Sequence, residues 1–206
     1  MIRLCALLVI GLLTNISDCA SASQAVISER PAEWATPVAA VAGLPNLFRV
    51  NANLYRVAQP TREGFSYLST LTSLYQTDRP IKTILSLRDA NDDFKFNPIH
   101  STLELKQIRF HTWHPEDEDV LAFLRIVNNP ELQPVLVHCK HGSDRTGMMI
   151  AIYRIAYDGW SKQQAIDEMI HGGYGYHPIW QNLVRYINNL DIEAIKKEAA
   201  QQGPLQ

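Results

Sequence analysis

Long apolar runs are scarce in this chain. The stretch from Leu4 to Leu13 covers about ten residues, half of the roughly 20 that a membrane-spanning helix requires. Basic blocks are missing as well. With 19 Lys and Arg against 21 Asp and Glu, the formal net charge is −2 and no block of Lys and Arg is present. That balance argues against a nucleic-acid surface, so any anionic ligand has to be held by a local site. Cysteine is rare, with three residues in 206. So few thiols exclude a disulfide-stapled scaffold.

What remains is 46% hydrophobic and long enough for one domain with a sizeable core. The start has the form of an export signal: Met1-Ile2-Arg3, the short apolar run, then small residues at Ala20-Ser21-Ala22. Residues 1–22 are therefore expected to be cleaved, which places the mature chain in the periplasm or outside the cell with no stable membrane insertion. Asp18 stands where a lipoprotein signal has a small residue, against a lipid anchor at Cys19. Cleavage removes Cys5 and Cys19 and leaves Cys139 as the sole thiol. An exported protein with one cysteine has no internal disulfide partner, which favours a chemical role for it.

Residues 23–46, with Pro31, Pro37 and Pro45, read as an irregular arm, and residues 47–206 as the domain. Leu47–Val50 and Leu54–Val57 flank Asn51-Ala52-Asn53 as a strand pair. Thr61 caps a helix expected to run to about Leu74. Residues 81–87 form a strand, 101–107 a short helix and 108–112 another strand. The acidic Glu116-Asp117-Glu118-Asp119 opens a helix, favoured there by the helix dipole. Pro134 to Val137 is a buried strand, and helices fill the chain from Thr146 onward, with breaks at Gly159 and Gly172-Gly173. The fold class is α/β: a central, mostly parallel sheet flanked by helices, with a helical C-terminal third.

The chemistry concentrates in residues 138–147, His-Cys-Lys-His-Gly-Ser-Asp-Arg-Thr-Gly, between that strand and the next helix. A helix N-terminus offers free N–H groups and a positive dipole end to a phosphate. Cys139 attacks as a thiolate, and both the helix end and a guanidinium favour that anion. Arg145 supplies a planar fork for two phosphate oxygens. Gly142 allows the tight turn, Thr146 is placed to donate its hydroxyl to the sulfur, and His138 orients the loop from behind. The carboxylate of Asp144 repels phosphate, so its side chain should point away. Lys140 and His141 either add positive charge for a substrate with several phosphates or point outward. The glycine- and aromatic-rich tract 172–180 reads first as a helix break packed on the core, and second as a wall of the site. His100, His111, His114 and His171 show no metal-ligand spacing.

His-Cys, five residues, then Arg-Thr-Gly resembles the signature of the protein tyrosine and dual-specificity phosphatases. Leu54-Tyr55-Arg56, Gln59-Pro60, residues 83–88, Gly159-Trp160 and Gly172-Gly173-Tyr174 are similar to compact exported bacterial enzymes of that type. The resemblance covers residues 47–189. It implies a dual-specificity-phosphatase-like fold, a phosphocysteine intermediate at Cys139, neither metal nor cofactor, and a phosphate loop of Lys140, His141, Gly142, Ser143, Asp144, Arg145 and Thr146. It also implies a general acid upstream, with Asp117 the first choice, Glu116 the second, Asp119 a helix cap and Asp89 an outside candidate. The substrate is then a phosphorylated protein, through phosphotyrosine and by extension phosphoserine or phosphothreonine, or a phosphorylated small molecule. Asp before Arg-Thr together with Lys140 and His141 is similar to inositol-lipid phosphatases, so an inositol phosphate or phosphoinositide is the alternative. A phosphate-binding module without turnover is the reading from another class, while Arg145-Thr146-Gly147 argues against sulfur transfer.

Overall fold

The central strands of this chain, LYRV, TILS and VLVH, are buried at successive positions, as expected where a sheet is covered on both faces. In the computed structural model, which describes residues 30–201 apart from Thr77 and Asn91, that is the arrangement found. The expected leader, residues 1–22, lies outside the described residues. Six strands form one sheet: β1 (Thr36–Pro37), β2 (Phe48–Asn51), β3 (Leu54–Val57), β4 (Thr83–Ser86), β5 (Glu104–Gln107) and β6 (Val135–His138). Their order is β1-β2-β3-β6-β4-β5. The β1-β2 and β2-β3 pairs are antiparallel, and β3-β6, β6-β4 and β4-β5 are parallel.

Alternation sends Leu54, Leu85, Val135 and Val137 to one face, where they join the helices α3 (Asp117–Val127), α4 (Asp144–Tyr157), α5 (Lys162–His171), α6 (Gln181–Asn189) and α7 (Ile192–Gln201). Tyr55, Val57, Ile84 and Leu136 face the other way, onto α1 (Arg62–Leu68) and the short α2 (Asp93–Phe96). Each fully buried Leu, Ile or Val stabilises the sheet sandwich by about 1.5–3 kcal/mol. β6 lies inside the sheet between β3 and β4, and α4 runs on behind it. Met148 to Ile152 are all buried, so this helix is surrounded by protein rather than amphipathic. Its buried Arg154 is neutralised by Glu168 at 3.1 Å and Asp158 at 2.8 Å.

Four expectations need correcting. The first helix ends at Leu68 instead of about Leu74, because Leu71 takes a left-handed φ of 57° and is exposed. Residues 101–107 are not helical: Glu104–Gln107 pairs in parallel with β4 as the sheet edge. Residues 108–112 are not a strand, and their one ladder contact is an isolated bridge from His111 to His114. The segment after β4 contains α2. The arm, for its part, contributes β1 to the sheet.

Candidate active site

β6 delivers Cys139 at its C-terminal end, and α4 begins at Asp144, so the loop 139–143 curls between a central strand and a 14-residue helix. Three outside donors hold its carbonyls. The Gln59 N–H donates to Lys140 O at 3.2 Å, Asn46 Nδ2 to His141 O at 2.9 Å and Arg56 Nη2 to Gly142 O at 2.7 Å. With the carbonyls drawn outward, the N–H groups of residues 140–143 meet no protein acceptor among the described residues. They are left for an anion at the positive end of α4. Gly142 has φ +71°, and a Cβ there would stand 2.6 Å from Val57 O, so the turn and the close approach to β3 both require glycine.

Cys139 is free and buried. It lines a cleft of about 240 Å³ together with Lys140, His141, Asp144, Arg145, Thr112, His177, Ile179 and Trp180. Arg145 Nη1 donates to Leu87 O at 2.9 Å, which ties the guanidinium to the end of the β4 segment and leaves its other edge for ligand.

Two buried groups support the loop from behind. His138 Nε2 lies 2.9 Å from Asp93 Oδ2, and Asp93 Oδ1 accepts from Gln59 Nε2 at 2.8 Å. Burial alone pushes the Asp93 carboxyl up, but the His138 bond and charge outweigh it and hold the group below the usual carboxylate value. Arg56, 1% exposed, lies 3.5 Å over the Tyr174 ring. Burial lowers its pKa, while Tyr174, Glu168 and Cys139 pull in the opposite direction. Tyr174 donates to Glu168 at 2.8 Å, and its carbonyl accepts from Ser143 Oγ at 2.7 Å.

The structure brings Cys139, Lys140, His141, Asp144 and Arg145 onto one cleft. Gly142 shapes the turn beneath it, and the Ser143 side chain is used inward on Tyr174. Thr146 Oγ1 is buried without a partner among the described residues, so the expected hydroxyl–sulfur bond is not made here. Asp144 turns toward the 172–180 tract, accepting from the His177 backbone N–H at 2.9 Å. That tract fits both of its readings: Tyr174 is core, while His177, Ile179 and Trp180 wall the cleft.

None of the four acid candidates lines the cleft. Asp117 Oδ1 accepts from the Tyr186 hydroxyl at 2.5 Å, Glu116 lies 3.3 Å from His114 and Asp89 lies 3.1 Å from His111. Asp119 is half-buried, its pKa pushed up to about 6 by burial first and then by Glu116.

Sequence reasoning missed Arg56, Asp93 and His177 as site residues, since each reaches the loop from a distant segment. The oddity of Asp144 was the one available signal for its partner. His141, Asp144 and His177 also present one ligating atom each within 4.8 Å of one another, a donor set that a transition metal could use. No helix among the described residues is long and apolar enough to cross a membrane.

Comparison with known proteins agrees with this geometry. The family model described as a DSP-PTPase phosphatase fused to NAD+ kinase matches residues 45–181. The dual specificity protein phosphatase TpbA of Pseudomonas aeruginosa is 33% identical over 152 residues, covering 73% of this chain; the match spans 65% of that relative's length. A crystal structure of a TpbA variant in complex with pTyr superposes with a TM-score of 0.69 at 31% identity, covering 83% of this chain and 98% of that one. The inositol diphosphatase DSP5 of Arabidopsis thaliana is 26% identical over 163 residues, covering 74% of this chain and 73% of its own. A strand–loop–helix phosphate cradle carrying Cys139 and Arg145, on a fold shared along most of the chain, makes this protein a member of the DSP-PTPase phosphatase family.

Proposed function

We propose that the chain is a cysteine-dependent phosphatase that hydrolyses phosphotyrosine, and by extension phosphoserine and phosphothreonine, in exported form. The observation that carries this reading is the convergence of Cys139 and Arg145 on one cleft at the start of α4, on a loop whose N–H groups meet no protein acceptor among the described residues. The dianion docks on the N–H groups and the Arg145 fork, and the Cys139 thiolate attacks phosphorus in line with the ester oxygen. The Sγ–P bond forms as the P–O bond breaks, and water then releases orthophosphate from the phosphocysteine. Apolar walls at Ile179 and Trp180 suit an aromatic leaving group. Export rests on the pattern of residues 1–22.

A second reading has its own support. Lys140 on the rim, with the imidazoles of His141 and His177 beside it, offers polar groups beyond those one phosphate needs, and a similar protein is an inositol diphosphatase. The deciding experiment compares a phosphotyrosine peptide with soluble inositol polyphosphates on the purified chain, with Cys139→Ser alongside. A higher kcat/KM on the peptide, lost in the variant, supports the first reading. A clear preference for the inositol compounds overturns it in favour of the second. Phosphopeptide binding without turnover identifies a recognition module.

A further inference from the structure

The cleft carries metal donors that phosphate chemistry does not use. His141, Asp144 and His177 each present one ligating atom, and the three atoms lie within 4.8 Å of one another. They come from separate pieces of chain: His141 from the phosphate loop, Asp144 from the first turn of α4, and His177 from the tract after α5. The fold already holds two of them together. Asp144, 7% exposed, accepts the His177 backbone N–H at 2.9 Å, and its other oxygen lies 2.8 Å from His177 Nδ1. A pair that merely fastens the tract to the loop would account for these two residues and leave the third without a task. The His141 ring centroid stands 5.3 Å from that of His177, and its ring nitrogens make no hydrogen bond among the described residues.

Two imidazoles and a carboxylate suit Zn²⁺ and its divalent first-row neighbours, whereas Mg²⁺ and Ca²⁺ take oxygen ligands. Tetrahedral bonds of about 2.0–2.1 Å place donors about 3.3 Å apart, so the widest separation here has to close by about 1.5 Å. The rings of His141 and His177 are both exposed and free to rotate by that much, while Asp144 is the fixed point. Three protein ligands leave a fourth position open, and all three residues line the cleft with Cys139 and Arg145.

We propose that His141, Asp144 and His177 form a binding site for a divalent transition-metal ion of the zinc kind, and that its occupation reversibly inhibits the phosphatase. The inhibition rests on the phosphatase reading; the site does not. The ion ties the phosphate loop to the tract across a cleft of about 240 Å³ and narrows the space that a phosphate ester has to enter. It takes no part in the chemistry at Cys139. An acid inside a phosphate loop is thereby explained, since Asp144 faces the imidazoles rather than the anion.

Zn²⁺ is titrated by calorimetry into the purified, untagged, chelator-stripped chain, beside Cys139→Ser, His141→Ala and His177→Ala. One ion per chain should bind to wild type and to Cys139→Ser alike. His141→Ala removes an exposed ring without hydrogen bonds, so its melting temperature should stay unchanged. Its zinc affinity should fall by more than the ~10–100-fold cost of losing an outer-shell partner, and His177→Ala should behave likewise. Co²⁺ should give wild type the intense visible absorption of a tetrahedral site, and His141→Ala should lack it. Affinity unchanged in both histidine variants, or lost in Cys139→Ser, overturns the site and puts the ion on other donors or on the thiolate. Turnover of 4-nitrophenyl phosphate should fall as zinc fills the site, with half-inhibition at the calorimetric Kd, and should return on adding EDTA. Full turnover at saturating zinc overturns the inhibition. Failure of the underlying reading looks different: no hydrolysis by the metal-free chain removes the phosphatase, and the zinc titration then decides the site on its own.

Discussion

Asp93 and Asp119 are two partly or wholly buried carboxyls with opposite consequences for stability. Asp93, 1% exposed, has a partner in His138, so its pKa lies below the ordinary value. A depressed carboxyl pKa contributes stability above the unfolded-state value near 4 and loses it as pH falls through the lower folded-state value. Asp93→Asn should therefore destabilise the protein by about 1–3 kcal/mol at pH 7, the cost of weakening a buried charged hydrogen bond, and by much less at pH 3. Denaturant melts at the two pH values read the difference. Asp119 runs the other way. Its pKa is raised to about 6, so the folded state holds its proton more tightly and stability declines as pH climbs from about 4 to above 6. Asp119→Asn should raise the melting temperature at pH 8 and leave it nearly unchanged at pH 4. The gain is about 1 kcal/mol or less once solvent screening of this half-exposed group is allowed for. A lower melting temperature at pH 8 would contradict the assignment.

At the scale of elements, the legible parts of the chain were those with a local cause. Thr61 was readable as a helix cap, and its side chain accepts from the first turn, as does that of Ser161 within a full capping box. The run Val120 to Val127 was readable as an apolar face. Glu104-Leu105-Lys106-Gln107 was not, because its good helix formers carry no mark of the β4 edge that pairs with them. Helix propensity, worth tenths of a kcal/mol per residue, yields there to strand pairing. The four-residue α2 is too short to show any period, yet it delivers Asp93 to His138. The loop itself was legible as a contiguous motif, and its glycine offers a direct check. Gly142→Ala imposes both a left-handed φ and a clash with Val57 O. It should cost about 1–3 kcal/mol in stability and should lower kcat by tenfold or more by displacing the loop. Wild-type kcat in this variant would show that the close approach to β3 is dispensable.

Across the whole molecule, the site depends on contacts that only the complete fold makes. Arg56 comes from β3, Tyr174 from the break after α5, and Arg30 from the arm ahead of the sheet. Arg30 donates to Ala35 O at 2.7 Å, Gly172 O at 2.5 Å and the Tyr174 hydroxyl at 2.6 Å, closing the stack that backs the loop. The arm read as irregular, and the aromatic tract first as packing and second as a wall of the site, because contacts across 142 or 144 positions leave no local trace. Arg30→Ala should lower stability by about 1–3 kcal/mol and reduce kcat more than it changes KM, as loosening from behind the loop would do. An effect on KM alone would place the arm's influence at substrate binding instead.

The central claim concerns one atom, Cys139 Sγ, and covalent trapping tests it most directly. Mature protein turning over 4-nitrophenyl phosphate in the presence of chelator is quenched in acid within milliseconds, digested and analysed by mass spectrometry. Phosphate should be found on the peptide that contains Cys139, and both the adduct and turnover should vanish in Cys139→Ser. Steady turnover with no phosphate on Cys139, or with activity surviving in Cys139→Ser, would contradict the account.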